Sequence, residues 1–359
     1  MPKNELKPLR RKIDQVDQKI LNLLNERTGI VLTIGKIKQK NHEEVFAPQR
    51  EKVLLEQLIK KNKGPFPAHA LQSVFREILS ASRSIQSPVK VAYLGPEGTF
   101  THLASRKYFG HSTELVPEGT IAKVFQAVES DLSDYGVVPI ENSTEGVVGA
   151  TLDVFQDSSL KIIGELVLPV SHHLLSQAVG LKAIQRIYSH PQAVAQCRNW
   201  LDQNLPNIPV VEVESTAKAA ERAAEDPGSA AIAGEQAVEL YRLKNLKKHI
   251  EDNPNNRTRF LILGKKNPEP SGRDKTSILF SVKDEVGVLY KMLEPFSRER
   301  INLTKIESRP LKKKAWEYIF FLDVDGHFQE KKMRKAIRLL DQRCVFLKVL
   351  GSYPKATDI

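Results

Sequence analysis

One helical pattern runs without interruption through most of the first forty residues. After Pro8 there is no proline until Pro48, and the apolar residues between them recur on one face at about 100° per residue. That face consists of Ile13, Val16, Ile20, Leu24, Val31 and Ile34. A helix over residues 6–39 would be on the order of 45–50 Å long. It is too long to pack on itself, so the fold must supply partner helices or a second subunit.

Cations lie inside this apolar face. Arg27 and Lys38 fall at its centre and Arg10 on its flank. An isolated buried charge is expensive, although a lysine near a helix end can extend to solvent. Residues 1–90 hold 18 Lys and Arg against 9 Asp and Glu, and so carry most of the net charge of +11. A nucleic-acid-binding helix would carry its cations on the polar face. This arrangement instead indicates an enclosed anion pocket between helices.

Two further helices are predicted, over residues 49–61 and 68–86. Their polar candidates are Arg50, Glu51, Ser82 and Gln86, of which the last two lie one turn apart. Together with the cations of the first helix, they resemble the all-helical chorismate mutase family over residues 5–86. The resemblance implies a three-helix fold in an intertwined homodimer that rearranges chorismate to prephenate without a cofactor.

The resemblance also implies a role for each residue. Arg27 and Arg50 would bind the two carboxylates, and Arg10 would reach the site of the other subunit. Lys38 and Gln86 would face the ether oxygen. Glu51 would accept the hydroxyl proton, and Ser82 would complete the pocket. A pericyclic reaction needs only a held conformer and a stabilised ether oxygen. The family usually has Asp where Ala47 stands. Mutase activity therefore depends on whether that position acts through its backbone N–H or its carboxylate.

Strands and helices alternate from residue 89 onward, which is typical of α/β layers. The predicted strands cover residues 89–94, 114–116, 135–140, 162–170, 186–188, 210–213, 230–233 and 260–263, and the predicted helices cover 101–109, 122–129, 193–204 and 216–225. The chain leaves one half and returns to it with its last strand. This order predicts two lobes with a ligand cleft between them.

Polar stretches lie at the ends of four of these strands, and open α/β sheets place ligands at strand ends. They are Gly95–Thr101, 139–143, 189–192 and 257–260. In the last, Thr258 stands between two cations, an arrangement that suits a polyanion. The first is not a dinucleotide fingerprint, because its glycine spacing is wrong.

Together the four stretches resemble prephenate dehydratase over residues 89–264. The resemblance implies two lobes like those of periplasmic binding proteins and the conversion of prephenate to phenylpyruvate, water and carbon dioxide. Thr258 would polarise the departing hydroxyl, with Glu141 and His190 as rival proton donors. Arg259 would hold a carboxylate, while Asn142, Ser189 and Gln196 would line the cleft.

The last segment follows a Pro-Glu-Pro-Ser-Gly linker and has a βαββαβ order, which predicts a ferredoxin-like unit. Its strands are predicted over residues 277–282, 302–308, 317–324 and 345–351, and its helices over 288–300 and 330–340. Gly287, Val288 and Leu289 open the first helix, and Glu307, Ser308, Arg309 and Pro310 close the second strand. Both motifs resemble an ACT domain, which implies that L-phenylalanine binds between two copies. Lys312, Lys313 and Lys314 are predicted to form a solvated hairpin.

We therefore expect three domains, over residues 1–88, 89–266 and 267–359, in a homodimer or higher oligomer. We expect an isomerase and lyase acting on chorismate and prephenate and inhibited by L-phenylalanine, with no cofactor, metal, nucleic acid or membrane partner. Two cysteines, Cys197 and Cys344, and an N-terminus without an apolar signal region predict a cytoplasmic protein. The alternatives are a dehydratase with a degenerate helical domain, a non-catalytic ligand sensor, a nucleic-acid binder, and a mutase–dehydrogenase fusion that would need the missing dinucleotide fingerprint.

Overall fold

The N-terminal part of the chain is entirely helical. The structure is a computed structural model that describes residues 6–41, 45–283, 285–310 and 318–356. The three helices are α1 (Leu6–Lys40), α2 (Pro48–Lys61) and α3 (Ala68–Gln86). α1 packs closely on α3, since a Cβ at Gly35 would lie 2.8 Å from the Gln86 Cγ. In the single chain, however, apolar side chains in the first half of α1 are exposed, Ile13 by 59% and Leu23 by 63%. One chain therefore leaves much of the apolar face of α1 uncovered.

The first lobe of the next domain is built on a six-stranded sheet of order β2-β1-β3-β11-β5, to which β4 is joined through β3. Its strands are β1 (Lys90–Leu94), β2 (Glu114–Glu118), β3 (Tyr135–Asn142), β4 (Gly146–Val147), β5 (Lys161–Pro169) and β11 (Arg257–Gly264), and its helices are α4 (Phe100–Phe109), α5 (Ile121–Glu129) and α6 (Gly149–Asp157). β1, β2 and β3 are parallel, whereas β11 runs antiparallel to both of its neighbours, β3 and β5.

The second lobe has a five-stranded sheet of order β10-β6-β9-β7-β8. It comprises β6 (His173–Ser176), β7 (Arg186–Ser189), α7 (Pro191–Gln196), α8 (Arg198–Asn204), β8 (Val210–Glu212), α9 (Thr216–Glu225), β9 (Ser229–Ala233), α10 (Gln236–Leu240) and β10 (Lys244–Lys247). Two chain segments cross between the lobes side by side, joined where the Val170 N–H donates to the Asn256 carbonyl at 2.9 Å. The predicted two-lobed architecture is confirmed.

The C-terminal domain is the predicted ferredoxin-like unit, an antiparallel sheet of order β13-β14-β12-β15. It comprises β12 (Asp274–Val282), α11 (Val288–Arg298), β13 (Leu303–Pro310), β14 (Tyr318–Asp325), α12 (Lys331–Asp341) and β15 (Phe346–Pro354). The two helices cover one face of the sheet. The other face packs directly on the first lobe, where Leu261 and Leu263 of β11 share one core cluster with Leu279 and Phe321.

Several predicted elements differ from the observed ones. The predicted helix over residues 193–204 is broken at Cys197 into α7 and α8, and β4, α6, β6, α10 and β10 were not predicted. The predicted hairpin at Lys312–Lys314 and the first residue of the predicted strand 317–324 lie outside the described residues. No helix within the described residues is both long and apolar enough to cross a membrane.

Candidate active sites

A cleft of about 850 Å³ lies between the two lobes. Its polar lining includes Thr99, Asn142, His172, Gln196, Lys218 and Thr258. The carboxyl end of β3 and the start of β11 meet here, since Thr258 pairs with Asn142 in the sheet register. Polar residues that are far apart in the sequence are thus gathered at one edge of the sheet, the usual position of a ligand in such folds.

Thr258 and Asn142 are hydrogen bonded to each other at the cleft. The Asn142 Nδ2 donates to the Thr258 Oγ1 at 2.8 Å and to the Asn256 Oδ1 at 2.8 Å. Because the Thr258 oxygen accepts this bond, its own O–H is available to donate into the cleft. Thr258 is buried, so this donor acts where water screens it little. The pair can therefore polarise a hydroxyl group that leaves a bound substrate.

A chain of neutral hydrogen bonds continues behind this pair. The Gln196 Oε1 accepts from the Asn256 Nδ2 at 2.8 Å and lies 2.9 Å from the His172 Nε2. Since this amide oxygen only accepts, the His172 ring carries its proton on Nε2. Burial lowers the pKa of His172 below its ordinary value of 6.5, despite the bond to Gln196, so the imidazole is neutral at pH 7. The chain fixes the orientation of Asn142. His172 and Asn256 were not predicted from the sequence.

The cleft also offers several groups that attract anions. Three helices begin at its rim: α4 after Thr99, α5 after Thr120 and α9 after Ser215. In each, the N-cap hydroxyl accepts a backbone N–H of the first turn, which leaves other N–H groups and the positive end of the helix dipole facing the ligand space. Lys218 adds a cation from the second lobe. These groups can hold carboxylates without any arginine.

Arg259 does not hold a carboxylate in the cleft, and the prediction that it does is wrong. β11 begins at Arg257, so successive residues face opposite sides of the sheet and Arg259 faces the C-terminal domain. Its Nε donates to Glu165 at 2.7 Å, its Nη1 to Asp323 at 2.6 Å and its Nη2 to the Tyr353 hydroxyl at 3.0 Å. Burial alone would lower the pKa of Arg259, but Tyr353, Asp323 and Glu165 raise it well above its ordinary value.

Two other predicted cleft residues also point elsewhere. Ser189 is fully buried as the last residue of β7, and its hydroxyl donates to the His190 carbonyl. Glu141 lies 2.6 Å from the Lys305 Nζ on the C-terminal domain, which removes it as a proton donor to the cleft. His190 does line the cleft. Its Nδ1 accepts the Gln192 N–H as the cap of α7, and burial lowers its pKa. A neutral ring is a weak proton donor.

In the helical domain, part of the predicted site comes together between α1 and α3. The Arg27 Nη1 donates to the Ser82 hydroxyl. The Gln86 Nε2 donates to the Ser82 carbonyl at 3.1 Å, while its Oε1 is buried without a hydrogen-bond partner. The Lys38 Nζ donates to the Val45 carbonyl at 3.1 Å. Arg27, Lys38 and Gln86 are half-buried, so they form a polar patch on an otherwise apolar interface.

The other predicted residues of that domain do not join this patch in the single chain. Glu51 pairs with Arg83, which also donates to the Phe109 carbonyl of the first lobe. Arg10 and Arg50 are exposed. Ala47 is the N-cap residue of α2 and offers no side-chain cap.

Comparison with known proteins identifies each part of the chain. The chorismate mutase type II family model matches residues 9–87, the prephenate dehydratase model 91–268 and the ACT domain model 276–340. A protein of Aquifex aeolicus named bifunctional chorismate mutase/prephenate dehydratase is 51% identical over 98% of both chains. The chain belongs to this bifunctional family.

Solved structures support the two-lobed and C-terminal domains. A prephenate dehydratase of Arthrobacter aurescens, solved with L-Phe, is 35% identical with a TM-score of 0.69, over 74% of this chain and 90% of that one. A structure named GqqA, described as a quorum quenching acylase, is 30% identical with a TM-score of 0.68, over 74% of this chain and 98% of that one. The dehydratase fold therefore carries more than one described activity.

The two motifs of the ACT domain lie at its helix start and at an edge strand. Gly287 adopts a φ of 74° ahead of α11, a left-handed conformation that favours glycine, and Val288 packs on the helix-side core, whereas Leu289 is exposed. Glu307, Ser308, Arg309 and Pro310 end β13, the edge strand of the sheet. Glu307 and Arg309 are half-buried, and the Arg309 guanidinium packs over Gly149 of the dehydratase domain. An edge strand of this kind can pair with a second ACT domain.

Proposed function

We propose that this chain rearranges chorismate to prephenate in its helical domain and converts prephenate to phenylpyruvate in its cleft. The names of the matching families and of the full-length relatives support both activities. We place the domains at residues 1–88, 89–266 and 267–359. Both cysteines are free thiols, which is consistent with a reducing cytoplasm as the place of action.

The second reaction can be written with the groups of the cleft. The bond from the ring to its carboxylate breaks and releases carbon dioxide, and its electron pair forms a ring double bond. The ring C–O bond breaks in turn, and the leaving hydroxyl takes up one proton, supplied by solvent, and departs as water. Thr258 donates a hydrogen bond to that oxygen, and the Asn142 N–H stabilises the negative charge that this draws onto the threonine. A threonine hydroxyl is too weak an acid to supply a free proton.

The carboxylates of prephenate are assigned to the helix N-termini of α4, α5 and α9 and to Lys218. Three of the four groups are built from backbone N–H donors at both walls of the cleft. A dianion that touches both lobes would draw them together and exclude water from the reacting centre.

The hydrogen bond from Asn142 to Thr258 is the observation that carries the proposed dehydratase activity.

Substitution of the threonine tests it. Thr258→Val should lower kcat for phenylpyruvate formation by about 10²–10³-fold, the usual effect of losing one donor to a developing charge. The fold should persist because Asn142 keeps its bond to Asn256. Thr258→Ser retains the donor and is the matched control, and chorismate consumption should be normal in both variants. An unchanged kcat in folded Thr258→Val would remove Thr258 from the mechanism.

For the first reaction we propose a homodimer in which the uncovered face of α1 packs on a second copy. The exposed apolar residues on this helix support the proposal, since one chain leaves them in water. Arg10 would then reach the site of the other subunit. Arg27, Lys38, Arg50, Glu51, Ser82 and Gln86 would complete the pocket, with Glu51 released from Arg83. Sedimentation of the purified protein would identify a monomer if this is wrong.

We propose feedback inhibition by L-phenylalanine, bound between two ACT domains at Gly287–Leu289 and Glu307–Pro310. The L-Phe named with the Arthrobacter dehydratase supports this effector.

An acylase activity, as described for GqqA, is less well supported. Within the described part of the cleft no hydroxyl is hydrogen bonded to a histidine side chain, the pair that a serine or threonine nucleophile needs.

A further inference from the structure

The dehydratase strands that carry Asn142 and Thr258 present a second pair of residues on their opposite face. In the antiparallel register of β3 and β11, Thr258 pairs with Asn142 and Arg259 pairs with Glu141. Neighbouring residues on a strand point to opposite faces of the sheet. The pair at the cleft and the pair facing the ACT domain are therefore back to back, one peptide bond apart on each strand.

The ACT domain binds both members of this second pair through charged groups. The Lys305 Nζ of β13 lies 2.6 Å from the Glu141 carboxylate. Asp323 of β14, fully buried, accepts from Arg259 at 2.6 Å. The Arg259 Nη1 also lies 3.8 Å from Glu141. Two neighbouring ACT strands thus hold two neighbouring dehydratase strands directly behind the proposed reacting centre.

The backbone geometry of β3 and β11 makes the Asn142–Thr258 pair sensitive to displacements of the ACT domain. The β3–β11 register shifts between Arg259 and Phe260, which pair with Glu141 and Pro139 and leave Ile140 as an extra residue. Such a bulge bends the strand and re-aims the side chains beside it. A displacement of β13 or β14 would pull on Glu141 and Arg259 through these contacts, and the bulge would convert that pull into a change in the direction of the Thr258 hydroxyl. A shift of about 1 Å at a reacting group can change a rate by about 10²-fold.

We propose that Glu141 and Arg259 are positioning residues through which the ACT domain, by way of Lys305 and Asp323, sets the geometry of Asn142 and Thr258. We name these four residues the relay. The relay accounts for the orientation of Arg259, which follows Thr258 in the sequence but points away from the cleft. Its side chain contacts the ACT domain and therefore responds to the position of that domain. This inference rests on the proposed dehydratase activity and on its inhibition by L-phenylalanine.

The same domain interface supplies a matched control. The Lys161 Nζ of β5 donates to the Val349 carbonyl of the ACT domain at 2.9 Å. Lys161 pairs with Gly264 at the far end of β11 from Thr258. Lys161→Met therefore removes a lysine contact across the same interface without touching the relay.

The test measures dehydratase rate and L-phenylalanine binding on full-length protein. Lys305→Met and Asp323→Asn should each still bind L-phenylalanine by calorimetry. In each, the ratio of uninhibited to fully inhibited rate should fall by about fivefold or more, the lower range of allosteric coupling. Lys305→Arg should restore inhibition because it restores the cation, and Lys161→Met should behave as the wild type. A purely structural role for Lys305 would not separate effector binding from inhibition in this way.

Each other result has a definite meaning. If Lys305→Met binds L-phenylalanine and keeps wild-type inhibition, the relay is overturned while the dehydratase function stands. If Lys161→Met also loses inhibition, the relay is overturned, because any loosening of the interface between the domains would then be enough to abolish inhibition. If Asp323→Asn fails to fold, Lys305→Met alone decides the test. Lys305→Met should fold because Glu141, the partner of Lys305, is partly solvated and tolerates the loss of its cation. A wild type that turns over prephenate but ignores L-phenylalanine overturns both the relay and the feedback proposal.

Discussion

Replacement of Arg259 distinguishes a structural arginine from one that binds substrate. In Arg259→Met, Glu165 keeps Lys275 at 2.9 Å and the Ala356 N–H at 2.9 Å. Asp323 is fully buried and keeps only the Ser277 hydroxyl among its described side-chain partners. Most of the loss of folding stability therefore comes from Asp323, which becomes a buried charge without a cation.

The magnitude follows from that imbalance. Removing one partner of a buried ion pair typically destabilises a protein by about 3–5 kcal/mol. At about 2–4 °C per kcal/mol for a unit of this size, the melting midpoint of the dehydratase–ACT unit should fall by roughly 6–20 °C. The double variant Arg259→Met/Asp323→Leu should recover much of the loss, because no uncompensated charge remains.

Scanning calorimetry and steady-state kinetics on the same samples provide the assay. A structural role for Arg259 predicts a lowered melting midpoint in the single variant, partial recovery in the double variant, and a KM for prephenate that changes less than kcat. The opposite pattern would refute it: a wild-type melting midpoint with a large rise in KM would mean that the guanidinium binds a substrate carboxylate after all.

Three further outcomes are expected. Ala47→Asp supplies the missing N-cap of α2 and should raise its stability by about 0.5–2 kcal/mol, measured by urea unfolding. Arg10→Ala and Arg27→Ala, refolded together in equal amounts, should regain about a quarter of wild-type mutase activity, because half the dimers are mixed and each has one intact site; subunits with self-contained sites would regain none. The lowered pKa of His172 means that its contribution to stability is complete above its unfolded value of 6.5 and is lost as pH falls through the folded pKa. The urea midpoint should therefore drop with acidification, and less so in His172→Gln.

The long helices could be predicted closely from the sequence, while the short elements could not. α3 and α9 have the predicted bounds, because proline, capping residues and apolar spacing act locally. The break between α7 and α8 has a distant cause. Asp252 accepts the N–H groups of Asn199 and Trp200 at the start of α8, and its own N–H donates to the Gln196 carbonyl. A cap supplied from more than fifty residues away leaves no local signal.

The errors at the cleft share one physical cause. β3 and β7 end two residues and one residue later than predicted, and β11 begins three residues earlier; all of these added residues are polar. Polar residues predicted to lie in a loop can all converge on one ligand, whereas the same residues in a strand alternate between faces. This alternation sends Arg259, Glu141 and Ser189 away from the cleft and leaves Asn142 and Thr258 in it.

The ACT domain is attached very differently to the two catalytic domains. It shares a continuous core with the dehydratase domain and reaches the strands behind Asn142 and Thr258 through the buried Arg259–Asp323 ion pair and the partly solvated Lys305–Glu141 pair. Its described side-chain hydrogen bond to the mutase helices is from the Lys52 Nζ to the Lys355 carbonyl at 2.6 Å. Close-packed cores and buried ion pairs transmit small displacements, whereas a flexible lysine on a carbonyl absorbs them. We therefore expect an effector bound to the ACT domain to act mainly on the dehydratase site, which would make the conversion of prephenate to phenylpyruvate the regulated reaction.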